Sequence, residues 1–526
     1  MSRTTTDTPL YDADASTDKH DDPDVSTDKH DDPDASTEKY DADASIEERR
    51  RAFRSGEIPV AVYGLGKMGL PLAAVYAETC GNVIGADVDE DVVASVNAGE
   101  CHVKREPQLA ELVAETVESG ALRAVSDPAE AAAEATVHVV IVPTLLSEDD
   151  APDLSILQSV IDDVATGLAP GDLVVVESTV PPRTCSDVVA PRLREKSGLD
   201  EGEFGVAFCP ERTASGRAVE DIRGAYPKVV GGVDAESIRA ARLVYDEIND
   251  QGTIPVSDAT TAEAVKVFEG VYRDVNIALA NELARMADEL EIDVTEAIEV
   301  ANTQPYCDIH DPGPGVGGHC IPYYPYFLIN GLDSWNRLLS SAREVNDEMP
   351  AFTVRKLAEE LAGAGKNVAD ATVLVLGMTY RAGVEETRAS PAIPITERLE
   401  DLGAEVLTVD PMLSDADEFA GRQIPLDAIY EQDADAAVLV TAHEDFEGID
   451  WSAFDRSLAV VDGQQTLNLS ETPHRQYTIG VGQQAKIGAG GRRGDRSDAA
   501  DPVDPERIGD GGVDAGDTAG DPPDEC

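Results

Sequence analysis

Six residues, Gly64-Leu65-Gly66-Lys67-Met68-Gly69, restrict the fold of this chain more than any other stretch. They follow an apolar run at 58–63 and open an alanine-rich segment, which gives the order strand, glycine turn, helix. Glycines spaced in this way allow a tight turn at Gly64, close approach of a ligand to the backbone at Gly66, and close helix–strand packing at Gly69. The helix N-terminus behind the turn suits a pyrophosphate, with Lys67 and Met68 lying in the same turn. A second apolar run ends at Asp87, about 20 residues on, where a carboxylate can accept hydrogen bonds from ribose hydroxyls. Asp89 and Glu90 follow rather than arginine, which repels a 2′-phosphate, so NAD is expected over NADP.

Short Val/Ile/Ala-rich runs at 58–63, 83–86, 137–142, 173–177 and 205–208 alternate with longer helical stretches, the pattern of a parallel α/β sheet. Thr260 followed by Glu263 forms a capping-box signature. Behind it, Val265, Phe268, Tyr272, Val275, Leu279, Leu283 and Met286 recur at steps of three and four, which predicts one long amphipathic helix. From residue 351 the alternation resumes with a helix, strands at 372–376, 405–409, 436–440 and 458–461, and a helix near 393–402. The expected fold class is therefore α/β, with two doubly wound, Rossmann-like domains joined by a long central helix and flanked by disordered acidic tails. The boundaries fall at 1–56 (tail), 57–257 (dinucleotide domain), 258–350 (central helical region), 351–482 (second domain) and 483–526 (tail).

From Asp14 to Asp43 a ten-residue unit repeats three times, acidic and almost without large apolar groups, so ordering it would not be repaid by burial. His20 and His30 within it read as part of a solvated tail, and no metal site is expected. The 526 residues carry a formal charge of −62, which makes nucleic acid a poor partner. It also suggests adaptation to concentrated salt, where the Debye length falls to about 3 Å at 1 M. Seven scattered cysteines without CxxC spacing argue against a disulfide framework or zinc. No run of about 18 apolar residues exists, so no membrane span is expected, and the N-terminus lacks the basic-then-apolar pattern of a signal peptide. A cytoplasmic location is inferred.

The loop Gly313-Pro314-Gly315-Val316-Gly317-Gly318-His319-Cys320-Ile321-Pro322 sets one cysteine where little side-chain bulk shields it. Two uses remain open on residues alone: a reactive thiol, suited to an aldehyde that is oxidised as a thiohemiacetal to a thioester, or a phosphate or backbone clamp. With this loop added, the chain resembles the UDP-glucose/GDP-mannose dehydrogenase family from about residue 57 to 480. The resemblance rests on the glycine turn with Leu70-Pro71, Val142-Pro143-Thr144, Glu177-Ser178-Thr179-Val180-Pro181-Pro182, Pro210-Glu211-Arg212, Ala262-Glu263 with Lys266, the GPGVGGHCIP loop, and Gly377-Met378-Thr379-Tyr380-Arg381 with Arg388-Ala389-Ser390-Pro391.

The resemblance implies NAD-dependent, four-electron oxidation of a UDP-sugar at C6 by a homodimer. It casts Cys320 as nucleophile, Lys266 as the cation beside the tetrahedral oxyanion, Glu211 as the base that activates water, and Thr179 as a positioning group. Thr144 falls to the cofactor, and Arg273, His319 and Arg388 to the substrate. On the residues alone, Glu211 could instead pair with Arg212 or Arg217, Lys266 could be a solvated flank, and Arg388 could pair with Glu385 or Glu386. The chain departs from the family pattern at three places: Tyr324 stands for the usual Asp four residues after the cysteine, Gly270 for the usual Asn four after the lysine, and Arg183 for a Gly. The text around Tyr272 to Leu283 is similar to the branch acting on UDP-N-acetylhexosamines, so UDP-N-acetylmannosamine is the expected substrate, with UDP-N-acetylglucosamine and UDP-glucose as alternatives. A two-electron hydroxyacid dehydrogenase with a structural Cys320, and a catalytically inactive nucleotide-sugar-binding protein, are the competing readings.

Overall fold

The computed structural model describes residues 10–11, 46–147, 149–214, 216–332, 335–414 and 418–483. His20, His30, the ten-residue repeats and the stretch from 484 onward lie outside the described residues. Leu10 and Tyr11 are buried against the first sheet, the Tyr11 N–H donating to the Gly171 carbonyl at 3.0 Å, and a short helix spans 46–54.

The first sheet uses β1 (Val60–Tyr63), β2 (Val83–Ala86), β3 (Leu122–Val125), β4 (Val137–Val140), β7 (Leu173–Val176), β8 (Gly205–Phe208), β9 (Lys228–Gly232) and β10 (Thr253–Pro255). Between β4 and β7 lies a two-residue ribbon, β5 (Leu145–Leu146) with β6 (Pro152–Asp153). The strand order is β10-β9-β8-β7-β4-β1-β2-β3, and the topology switches between β1 and β4. Every neighbour is parallel except β8 with β9. Strands β1, β2, β4, β7 and β8 are buried on both faces, which is why they read as unbroken apolar runs. Helix α1 (Gly69–Cys80) covers one face, ending at Gly81 in the left-handed conformation.

The second sheet is built from β11 (Thr372–Leu376), β12 (Glu405–Val409), β13 (Arg422–Gln423), β14 (Ala436–Leu439), β15 (Ala459–Asp462), β16 (Arg475–Thr478) and β17 (Gly482–Gln483). Its order is β13-β12-β11-β14-β15-β16-β17, parallel apart from the terminal β16–β17 pair. Both sheets therefore offer a crevice at the C-terminal ends of central strands.

Between the sheets run α2 (Ala259–Arg285), the short α3 (Tyr324–Ile329) and α4 (Arg337–Gly363). The helix expected after residue 351 begins earlier, at Arg337, and carries Pro350 within it. Helix α2 has the expected length, but the capping box does not form. Asp258, extended and one position before the helix, accepts from the Thr261 N–H at 2.7 Å and caps it. Glu263 points inward instead, where its carboxylate accepts from the N–H groups of Arg183 at 2.5 Å and Cys185 at 2.7 Å.

The helix also faces the other way from what its apolar stripe suggests. Phe268, Tyr272, Leu279 and Met286 are exposed, whereas Glu263, Lys266, Gly270, Asp274, Ala278 and Asn281 are buried. Burial pushes the Glu263 carboxyl up to about 7, against the backbone donors from Cys185 and Arg183 that favour its charge. With the folded pKa above the unfolded value, the folded state retains a proton through that window, and Glu263's contribution to stability falls as pH rises toward 7. The stability gap between wild type and Glu263→Gln should therefore shrink between about pH 5 and about pH 8 in denaturant titrations. Glu263→Ala should cost about 2–3 kcal/mol by stranding two buried N–H groups.

Candidate active site

The glycine turn sits at the switch point between β1 and β4. Gly64 has φ +95°, and a Cβ there would meet the Ile141 carbonyl oxygen at 2.4 Å. At Gly69 a Cβ would lie 1.9 Å from the Gly64 oxygen, while at Gly66 nothing lies within 4 Å. Two of the three glycines thus serve the turn's own packing, and the third keeps a space clear. Met68, at the N-cap of α1, makes no side-chain cap; the Leu70 N–H donates to the Gly66 carbonyl at 3.0 Å and Pro71 has none, which leaves the N–H groups at the turn itself, up to Gly69, to face an anion. The N–H groups of Leu65 and Asp89 donate to the two Asp87 oxygens at 2.7 and 3.0 Å and fix that carboxylate at the end of β2. On the β4 side, the Thr144 hydroxyl is buried without a hydrogen-bond partner in the protein, a polar atom aimed where a ligand would satisfy it. These residues fit NAD.

Cys320 is exposed, whereas Cys80, Cys185 and Cys209 are buried, and burial raises all three of those thiols, Cys80 to about 11. The glycine loop before it is pressed against the second domain. A Cβ on Gly315 would reach Pro391 at 2.9 Å, and one on Gly317 would reach Tyr380 at 2.7 Å. The Gly318 N–H donates to the Arg388 carbonyl at 2.9 Å. Glycine density here serves close packing as well as exposure of the thiol.

Around Cys320 the structure gathers Lys266, Glu211 and Thr179. The Lys266 ammonium is buried, lies 3.6 Å from the Glu211 carboxylate and donates to the Glu211 carbonyl. Burial opposes its charge, but Glu211, helped by neighbouring groups that include Cys320, outweighs burial and raises its pKa. It is therefore a fixed cation rather than a base, and not a solvated flank. Glu211 accepts from both the backbone and the hydroxyl of Thr213. Arg212 pairs with Glu269 at 2.7 Å and Arg217 with Glu220 and Asp221, so neither takes Glu211. Thr179 lies 3.1 Å from the Tyr324 hydroxyl. Arg183, in place of the glycine, keeps the left-handed backbone at φ +80° that glycine favours, held there by Glu263.

The remaining expected residues divide. Glu386 takes both Lys67, at 2.9 Å, and His319, and Glu385 takes Lys104 at 3.6 Å, so the local pairing expected as an alternative for Arg388 is not the one formed. Burial lowers the His319 pKa although Glu386 opposes it, so the imidazole is neutral near pH 7. Arg388 is exposed beside the loop. Arg273 stands apart, exposed on α2, its charge acting on His310.

Sequence reasoning missed Arg343 and Asn346. Arg343 donates to Asp274 at 2.6 Å, and Asn346 bonds both Asp274 and Asn281 at 2.9 Å. They line an open cleft of about 530 Å³ with Val316 and Pro322 of the thiol loop, Leu146, and Ser390 of the second domain. The signal was present as an arginine and an amide about two to three turns into what proves to be α4, but without the fold nothing says that they face inward.

A dinucleotide turn, an exposed thiol beside a buried cation, and a cleft shared by two Rossmann-like domains define an NAD-dependent nucleotide-sugar dehydrogenase, an oxidoreductase. The sequence comparisons agree throughout. Residues 58–249 match the NAD binding domain of the UDP-glucose/GDP-mannose dehydrogenase family, 260–348 its central domain and 374–468 its UDP binding domain, and the chain belongs to that family. A UDP-N-acetyl-D-mannosamine dehydrogenase of Pyrococcus horikoshii is 38% identical over 429 residues, 81% of this chain and 99% of the relative. An NDP-N-acetyl-D-galactosaminuronic acid dehydrogenase of Ralstonia solanacearum is 34% identical over 418 residues, 77% and 95% of the two chains. Among solved structures, a UDP-D-ManNAc dehydrogenase from Pyrococcus horikoshii superposes with a TM-score of 0.75 at 37% identity, covering 81% of this chain and all of that one. Among the described residues no helix is long and apolar enough to cross a membrane.

The unequal surroundings of the glycines separate binding from folding. Gly66→Ala should fold with an unchanged thermal midpoint and bind NAD at least tenfold more weakly by calorimetry, whereas Gly69→Ala should lower the midpoint by several degrees. Equal loss of stability in both would contradict this division.

Proposed function

We propose that the protein oxidises the C6 alcohol of UDP-N-acetylmannosamine to the uronic acid through a thioester on Cys320. The observation that carries this reading is the meeting of an exposed thiol, a buried ammonium and a paired carboxylate within one site. Bound NAD supplies the hydride acceptor for each of two two-electron steps. Thr179 orients the alcohol, which loses a hydride and a proton to become the aldehyde. Cys320 adds to the carbonyl carbon, and Lys266 stabilises the oxyanion so formed. Loss of the second hydride leaves the thioester, and Glu211 takes a proton from the water that cleaves it, releasing the carboxylate and the thiol. In total, one alcohol, one water and two NAD⁺ yield one carboxylate, two NADH and three protons.

The acetamido sugar is favoured because the relatives named above are both named for acetamido sugars. The charge of −62 supports a working environment of concentrated salt, which screens carboxylate repulsion. NADH yield per sugar should therefore be measured with UDP-N-acetylmannosamine, UDP-N-acetylglucosamine and UDP-glucose, across salt concentrations, for wild type and Cys320→Ser. Two NADH per UDP-N-acetylmannosamine, rising in rate with salt and abolished in the variant, are expected. One NADH that survives the substitution would overturn the thioester route.

The exposed stripe Phe268, Tyr272, Leu279 and Met286 supports a homodimer through α2, because steps of four and seven put all four on one face that the protomer leaves open. Leu279→Glu should convert the dimer to a monomer in light scattering. An unchanged mass would remove this face from the interface.

A further inference from the structure

Two of the departures from the family pattern meet in space. A Cβ on Gly270 would lie 2.3 Å from Cδ2 of Tyr324 and 3.1 Å from its Cγ, contacts that no side chain could tolerate without displacing the ring. Gly270 sits inside α2 and does not adopt a positive φ, so glycine is required there for space and not for backbone freedom. The ring it admits is 7% exposed and packs on Phe327 with centroids 5.8 Å apart. The Tyr324 N–H donates to the Cys320 carbonyl at 3.0 Å, which ties the ring to the reactive residue through one turn of chain.

The hydroxyl emerges among the groups already assigned. It lies 3.1 Å from the Thr179 hydroxyl, its ring centroid is 5.9 Å from the Lys266 ammonium, and the Cys320 side chain is among the groups that act on it. Burial, opposed by the Lys266 charge, raises the phenol's pKa, so this group is an O–H at neutral pH and cannot act as a base. The aspartate usual in the family would put an anion here, which would disfavour a thiolate. A neutral donor favours it.

We propose that Tyr324, admitted by Gly270, is a positioning residue for the nucleophile: Thr179 donates to the Tyr324 oxygen, and the Tyr324 hydroxyl donates to the Cys320 sulfur, holding the thiolate beside Lys266. Base work then rests on Glu211. The kinetic part of this inference depends on Cys320 being the nucleophile, but thiol reactivity does not and can be read without substrate.

The test is the pH profile of Cys320 alkylation by iodoacetamide in the full-length protein, followed by peptide mass spectrometry and paired with steady-state kinetics. Lys266, Tyr324 and, from the second domain, Tyr380 are the ionisable groups facing the thiol, with Glu211 behind Lys266, and only Tyr324 is altered. Tyr324→Phe should move the alkylation midpoint up by about one pH unit and lower kcat about tenfold, with KM for sugar and NAD within about twofold. Gly270→Ala should shift the profile in the same direction, yet have no further effect in a Tyr324→Ala background. An unmoved profile in Tyr324→Phe would overturn the proposal whatever the enzyme's substrate proves to be, as would an effect confined to KM. If Gly270→Ala acts equally in both backgrounds, the dependence of Tyr324 on Gly270 is wrong.

Discussion

A charge or amide buried on a helix must find a partner, and helix α2 carries four such groups on its inward face: Glu263, Lys266, Asp274 and Asn281. Each is met by a different part of the chain. Glu263 holds the turn at 183–185, Lys266 meets Glu211, Asp274 meets Arg343 and Asn346, and Asn281 bonds Asn346 while accepting from the Gly313 N–H at 2.8 Å. Stranding one member of the two buried ion pairs among these, Lys266–Glu211 and Asp274–Arg343, costs about 3–5 kcal/mol, far more than a surface pair. The helix therefore acts as a ruler: a slip by one residue would break all four matches together. Registration of the thiol loop against Glu211 follows from that demand.

The second domain is bound into the same arrangement by a single acidic loop. Glu386 joins Lys67 of the dinucleotide turn to His319 of the thiol loop, and the Arg105 guanidinium donates to the Gly383 carbonyl at 3.1 Å. These contacts are partly exposed, and each is individually weak. Close packing of Gly315 and Gly317 on Pro391 and Tyr380 supplies the firmer contact. Rigid apposition at the loop and softer pairing at the cofactor turn suit a cleft that must admit two ligands.

What could be read from the sequence was what short-range physics controls. The glycine turn, the doubly buried strands and the length of α2 follow from local spacing, and each was found where expected. The direction in which α2 faces was not readable, because a hydrophobic stripe signals burial without saying against what. Its apolar face lies open in the protomer, while small and polar residues fill the inside. The capping box failed for a related reason: Thr260 and Glu263 have the right spacing, but Asp258 competes for the same N–H groups and Glu263 is drawn to a turn 80 residues away in sequence. Strands β3 and β9 escaped notice because Arg123 and a Gly-Gly pair interrupt their apolar runs. Tyr324 and Gly270 stood out in the sequence as unrelated departures, and only the fold shows that one makes room for the other.

The groups around the thiol come from residues 179, 211, 266 and 320, and the acidic loop that ties them to the cofactor turn from 386. Two sheets and the helices between them contribute, and neither sheet alone carries the set. Recombination within this stretch would separate groups that meet at one sulfur, whereas exchange at either end would leave them together. The stretch from the glycine turn to the acidic loop, roughly three-fifths of the chain, therefore works only as a unit, and a rearrangement that keeps the site intact has to fall outside it.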